Sequence, residues 1–389
     1  MELNDKASRI FSMLNSHDRD TTINNLFTDQ GFLVSPGQLC VPIGIDVNGN
    51  SVIYDVTEFP HLLIGGTTGS GKTVFLQSML AGMIATYSDE LLKLIIFDSK
   101  GVDYHIFNGM LNLLLPVVTD PSRALEAISW TYTEALKRMK LLSDDGCKDF
   151  AAYNEKNAAL PYIVVVLDDF STLSMHRGID KVENVLLPVL SIGRMVGIHV
   201  IIVTSIPTTK IITTSLKANI PSRMSFCVPS RNISKMILDE NGAESLSRQG
   251  EFIIKSGMRL RKGTSIYADE YEMSSIITAI KSFNKLSDKG TEVKVIDILG
   301  PDENSSFSRG DTFSENEDEL INEAVDIIFE TGQASVSMLQ RRLKLSYSRA
   351  ARLIDVLEIK GIVGAFEGSK PRQILISRQQ WIENKTSKD

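Results

Sequence analysis

The sequence predicts an α/β domain with a mostly parallel sheet built around a phosphate-binding loop, followed by a smaller C-terminal winged-helix domain. Three observations carry this. The segment GGTTGSGKTVFL (65–76) fits G-x-x-x-x-G-K-[ST] at every fixed position. Strand-like and helix-like runs alternate from about residue 59 to 283, the pattern of a parallel sheet with crossover helices. After a polar stretch the texture changes to three short helical patterns and a two-stranded ribbon, the plan of a winged helix.

The elements follow in order. HLLI (61–64) is an apolar run of strand length, and VFLQSMLAGMIATY (74–87) has helical apolar spacing, so a strand enters the loop and a helix leaves it. LKLIIFD (92–98) is a strand ending in an acid. ALEAISWTYTEALKRMKLL (124–142) is a long helix. YIVVVLDDF (162–170) is β-branched and reads as a strand buried on both faces. VENVLLPVLSIGRMV (182–196) is helical, with Pro188 either starting or kinking it. IHVIIVTS (198–205) and RMSFCV (223–228) are further strands. GPDENSSFSRGDTFSENEDE (300–319) is polar and rich in breakers, a flexible linker. ELINEAVDIIFETG, SVSMLQRRLKL and YSRAARLIDVLEIKG supply the three helices. GIVGAFEGSKPRQILIS supplies the ribbon, with its turn at 368–371. The resulting domains are a short N-terminal segment 1–50, a P-loop domain 51–285, a linker 286–318, a winged helix 319–380 and a tail 381–389.

The loop chemistry fixes a ligand class. Glycines let the backbone curl until several N–H groups face one anion, and the helix N-terminus adds partial positive charge. Residues 66–73 (Gly66, Thr67, Thr68, Gly69, Ser70, Gly71, Lys72, Thr73) form this cradle. Lys72 reaches the β- and γ-phosphates, and the Thr73 hydroxyl ligates Mg²⁺. Such a site needs a second acid. Asp168 and Asp169 follow the buried YIVVVL, the Walker B arrangement of an acid ending a strand beside the P-loop strand. Asp168 would hold Mg²⁺ through water and Asp169 would orient or deprotonate the attacking water; the two could instead cap the next helix. Asp98 and Lys100 are either a nucleotide-proximal pair or a structural ion pair.

Composition narrows the class. The chain has 389 residues, 43% apolar and 23% charged, with a formal net charge of −7. These values suit a water-soluble protein of two or three domains. The negative charge argues against a surface coated in basic patches but leaves room for a local nucleic-acid channel. Cys40, Cys147 and Cys227 lack metal-like spacing and suit buried thiols in a reducing cytosol. No apolar run approaches the roughly 20 residues of a membrane span, and the N-terminus lacks a signal-peptide core, so the expected location is cytoplasmic.

The residues also carry a family resemblance. FPHLLIGGTTGSGKT, IIFDSKG, VVTD, AAYNEKNA, PYIVVVLDDF, GRMVGIHVIIVTS, LKANIPSRMSF, MILDENGAESL and SVSMLQRRLKLSYSRAARLIDVLEIKGIV resemble, in order, the motor region of FtsK/SpoIIIE DNA translocases. The resemblance implies a RecA-like motor that forms a hexameric ring on double-stranded DNA and is driven by ATP with Mg²⁺. It also implies a C-terminal winged helix, called γ, that reads orienting sequences and touches a site-specific recombinase. Arg194 falls where the family has an arginine that reaches a neighbouring subunit's nucleotide; a plain surface arginine is the alternative. SYSRAARLID would be the recognition helix, with Arg349 and Arg352 on one face and Ser348 in place of the family's Asn. Residues 341–389 hold 11 Lys/Arg against 5 Asp/Glu, which fits phosphate contact.

Departures matter too. Asp169 stands where the family has Glu, and Ser205–Ile206 stand where it has Gln-Arg, so hydrolysis is expected to be slow, rewired or absent. Few residues precede the motor, so septum anchoring is not expected. Three readings follow: a ring-forming duplex DNA translocase, a DNA-binding protein that uses ATP as a structural or switching ligand, and a conjugation or packaging coupling ATPase.

Overall fold

The computed structural model describes residues 10, 22–29, 32, 39–247, 249–257, 259–286 and 315–343, with 353–354, 357, 362–364, 372–376 and 381. The chain divides into two compact units, Met1–Gly300 and Pro301–Asp389.

The first unit is built on a nine-stranded sheet of order β2-β1-β9-β8-β7-β3-β6-β5-β4. Its strands are β1 (Cys40–Asp46), β2 (Ser51–Asp55), β3 (His61–Gly65), β4 (Leu92–Asp98), β5 (Tyr162–Asp168), β6 (Ile198–Thr204), β7 (Ser222–Ser225), β8 (Glu251–Ser256) and β9 (Arg259–Ser265). Strands β7, β3, β6, β5 and β4 run parallel. Strands β8, β9, β1 and β2 extend this block antiparallel. The parallel block is the predicted α/β core. The antiparallel wing draws in Cys40–Asp46, so the sheet starts upstream of residue 51, where the sequence reading begins the P-loop domain.

Period-two alternation explains why the central strands are apolar throughout. Along β5, Val164 and Val166 enter one core, whereas Ile163, Val165 and Leu167 enter the other. Strand β6 divides the same way, with Ile201 and Val203 against Ile198, Val200 and Ile202. Helices therefore cover both faces. Helix α1 (Lys72–Thr86) leaves the P-loop and is buried along most of its length, which is why its sequence lacks a polar face. On the other face lie α2 (Pro121–Asp144), α3 (Phe170–Arg177) and α4 (Ile179–Ile192). Pro188 sits inside α4 rather than at its start. A 3₁₀ turn, Gly193–Val196, then leads into β6.

The second unit contains helices Glu315–Thr331 and Val336–Leu343. Ala324, Val325, Ile328, Leu339, Leu353, Ile354, Leu357, Ile362 and Val363 share its core. Antiparallel bridges Ala334↔Arg372 and Val363↔Ile374 supply the ribbon component of the predicted winged helix. No helix among the described residues is long and apolar enough to cross a membrane.

Candidate nucleotide site and its relatives

The carboxyl edge of the parallel strands gathers the predicted site. Gly65, the last residue of β3, is in register with Thr204 at the end of β6. Asp168, ending β5, is in register with Asp98, ending β4. The expected adjacency of the Asp168 strand to the P-loop strand is not met. Strand β6 lies between them, so the site spans three strand ends and Ser205 follows the middle one. This crevice beyond the carboxyl ends is where open α/β sheets place ligands.

Contacts from distant sequence hold the loop. Thr67 N donates to the Cys227 carbonyl at 2.9 Å, and Phe226 N to the Gly65 carbonyl at 2.9 Å. From the antiparallel wing, Gly250 N donates to the Ser70 carbonyl at 3.0 Å. Gly71 has φ +106°, and a Cβ there would stand 3.1 Å from Gly250 N. Glycine at 71 thus serves both the left-handed turn and the close approach. Cys227 supports the loop through its backbone; its thiol is half-buried, whereas Cys40 is buried.

Lys72 is buried, and its Nζ donates to the Gly66 and Thr67 carbonyls, each at 2.8 Å. Burial lowers its pKa to about 8, opposed by the nearby carboxylates of Asp168 and Asp169 and reinforced by the Lys100 charge. The predicted Lys72, Asp168 and Asp169 are therefore brought together. Burial also raises the Asp168 pKa, with the Asp98 and Asp103 charges acting in the same direction. A cation beside Asp168 would relieve that strain. Among the described residues no three His, Cys, Asp or Glu side chains form a self-contained metal cage. A Mg²⁺ held by one hydroxyl, one carboxylate and phosphate oxygens needs none. The buried Ser70 Oγ has no hydrogen-bond partner, which fits a cradle completed by a ligand oxygen. The donor set around Thr73 and Asp168 thus suits Mg²⁺ with a nucleoside triphosphate.

Asp169 adopts the left-handed region at φ +52°, uncommon for a side-chain-bearing residue and characteristic of functional turns. Its Oδ2 accepts from Thr172 Oγ1 at 2.6 Å and Ser99 Oγ at 3.2 Å, which fixes the carboxylate's direction. Its backbone N donates to Asp168 Oδ1 at 2.9 Å. The Asp98–Lys100 question resolves by separation. Asp98 is a loop builder, accepting from the backbone of Lys100, Asp103 and Tyr104. The Lys100 side chain is exposed, 3.9 Å from Asp103, and near enough to Lys72 to depress its pKa.

Tyr104 was not expected. It is fully buried, and its hydroxyl makes no hydrogen bond of full geometry. It nevertheless lies close enough to Asp168 to lower that carboxyl's pKa. Nothing in its sequence position separates it from a packing aromatic.

Arg194 is placed elsewhere. It is exposed on the Gly193–Val196 turn, at the amino end of β6. The seven residues of that strand, at about 3.3 Å each, put roughly 20 Å between Arg194 and the P-loop edge. Ser348, Arg349 and Arg352 lie outside the described residues.

Comparison with known proteins points to one family. The FtsK/SpoIIIE family model matches residues 22–209, and the FtsK gamma domain model matches residues 315–377. A protein of Caldanaerobacter subterraneus named DNA translocase FtsK is 39% identical over 348 residues, covering 88% of this chain and 47% of that protein. The DNA translocase SpoIIIE of Bacillus subtilis is 36% identical over 363 residues, covering 89% and 44%. The chain thus spans less than half the length of these relatives. Among solved structures, the pCW3 conjugation coupling protein TcpA with ATPγS superposes with a TM-score of 0.58 at 24% identity, covering 66% of this chain and 73% of that one. The cytoplasmic domain of the Thermomonospora curvata type VII secretion ATPase EccC gives 0.58 at 20% identity, covering 69% and 34%. These two likenesses speak to the fold.

Proposed function

The chain belongs to the FtsK/SpoIIIE family, and from that premise we propose that it is an ATP-driven translocase of double-stranded DNA. The observation that carries the proposal is the convergence of Lys72, Asp168 and Asp169 at one strand edge, with Arg194 at the other. In this reading Lys72 Nζ leaves the Gly66 and Thr67 carbonyls for the β- and γ-phosphates of ATP. Thr73 and Asp168 would hold Mg²⁺, which supplies charge neutralisation on the phosphates. Asp169, oriented by Ser99 and Thr172, positions water for in-line attack. Arg194 is too far from its own P-loop to assist there, so it acts on the nucleotide of an adjacent copy. That arrangement requires a ring or stack of subunits, which we take to be a homohexamer. Backbone contacts of the moving segments would track phosphates, independent of sequence and weakened by salt. The FtsK gamma domain match supports DNA reading by the C-terminal unit, with Ser348, Arg349 and Arg352 as its base-facing residues and a recombinase as a further partner. A cytoplasmic location follows from the same reading.

The test is steady-state ATP hydrolysis with and without linear duplex DNA, beside a Lys72→Ala control. The proposal expects DNA to raise turnover and Lys72→Ala to abolish it. Tight binding of ATP and duplex with no turnover would instead make the chain a nucleotide-gated DNA-binding protein.

A further inference from the structure

Arg138, on α2, is the bulkiest of the fully buried side chains among the described residues, only 2% exposed. Burying a guanidinium costs several kcal/mol unless its donors are satisfied, and a methionine would fill similar space without that cost. Packing alone therefore does not account for an arginine here. Its partners suggest the reason. Nε donates to Glu134 Oε1 at 3.0 Å, Nη1 donates to the Val196 carbonyl at 3.0 Å, and the guanidinium lies 4.9 Å from the centroid of the Phe150 ring.

Val196 ends the Gly193–Val196 turn, where free carbonyls favour a cation. Phe150 grips the same turn from its exit. Gly197 has φ +71°, and a Cβ there would meet the Phe150 ring at 2.3 Å. At the entrance, a Cβ on Gly193 would meet the Ile198 carbonyl oxygen at 2.5 Å and His61 Cε1 at 3.2 Å. The turn is thus clamped at both ends and from beneath. Of its four residues, Gly193 and Val196 are buried and Arg194 and Met195 are exposed. A surface arginine of no consequence would need no such mounting.

We infer that Arg138 is a positioning residue: through the Val196 carbonyl and Phe150 it fixes the turn so that Arg194 meets the neighbouring copy's nucleotide in one orientation. This rests on the proposed role of Arg194.

The experiment measures DNA-stimulated ATP hydrolysis by the full chain for R194A, R138M and the double variant, with thermal melting as the folding check. E134Q/R138M, which leaves no orphaned carboxylate, carries the same comparison if R138M melts early. Loss of a trans-acting arginine lowers kcat by about 10³-fold or more. Misplacing it by about 1 Å lowers kcat by about 100-fold. The expected result is that R138M falls by about that lesser factor with the KM for ATP unchanged, and that the double variant is no slower than R194A alone. A folded R138M with wild-type kcat, or losses that multiply in the double variant, would overturn the inference while leaving the role of Arg194 standing. Wild-type turnover by R194A would remove that role, and the inference with it.

Discussion

Acidification from pH 7 to pH 5 should destabilise the first unit steeply, because two histidines are built in neutral beneath the Arg194 turn. His61 donates from Nε2 to the Leu190 carbonyl at 3.0 Å and accepts at Nδ1 from Val200 N at 3.1 Å. A proton on Nδ1 would face another donor. His199 donates from Nδ1 to the Pro60 carbonyl at 3.0 Å, while its buried Nε2 has no partner. Burial lowers their pKa values to about 4 and about 3, with the His61 charge and then Arg138 and Arg194 adding to the effect on His199. Both groups are neutral, folded or unfolded, well above the ordinary value of 6.5. As pH falls below 6.5 the unfolded chain takes up protons that the folded chain refuses, and stability drains until the folded values are passed. At pH 5 this amounts to about 2 kcal/mol per histidine, or about 4 kcal/mol for the pair. Urea midpoints followed by intrinsic fluorescence at pH 7 and 5 would read it. His199→Asn, whose amide can still donate to the Pro60 carbonyl, should lose about half as much over the same interval. An unchanged wild-type midpoint, or equal losses in the two proteins, would refute the neutral-pair reasoning.

Three further outcomes are expected. Tyr104→Phe removes a buried unpartnered hydroxyl, so melting should hold or improve. Its Mg²⁺ requirement for binding a non-hydrolysable ATP analogue should nevertheless rise by about fivefold, read by a Mg²⁺ titration, because Asp168 loses a polar neighbour that favours its charged form. Asp169→Asn keeps a residue that tolerates φ +52° and retains the hydroxyl contacts, so equilibrium ATP binding should persist while single-turnover hydrolysis falls by about 100-fold. Gly71→Ala meets both the left-handed backbone and the Gly250 amide, at a cost of about 1–2 kcal/mol. Nucleotide affinity measured by titration should fall about tenfold, and the melting temperature should drop by a few degrees.

Much of the site was legible because it is local. Residues 66–73 are consecutive, and Asp168 announces itself by ending an apolar β-branched run. Strand order is not local. That β6 separates the P-loop strand from the Asp168 strand depends on crossovers spanning most of the unit, so an adjacent pair was expected and a three-strand crevice found. The antiparallel wing was missed for a related reason. Strand β9 begins with four exposed residues, Arg259 to Lys262, and alternates only over Gly263 to Ser265, so it has the composition of a loop. Its neighbour β8 leads in from Gly250, which grips the P-loop through a backbone amide that no side-chain pattern can advertise. Arg138 was hidden inside a helix that reads as amphipathic. A basic residue in such a pattern is expected on the exposed face, and Arg138 is instead buried.

If ATP hydrolysis at this site moves DNA, the chain will displace a triplex-forming strand from linear duplex. Displacement is expected with Mg²⁺ and ATP, none with a non-hydrolysable analogue, and none by Lys72→Ala. Hydrolysis stimulated by duplex without displacement of the third strand would contradict DNA movement by this site.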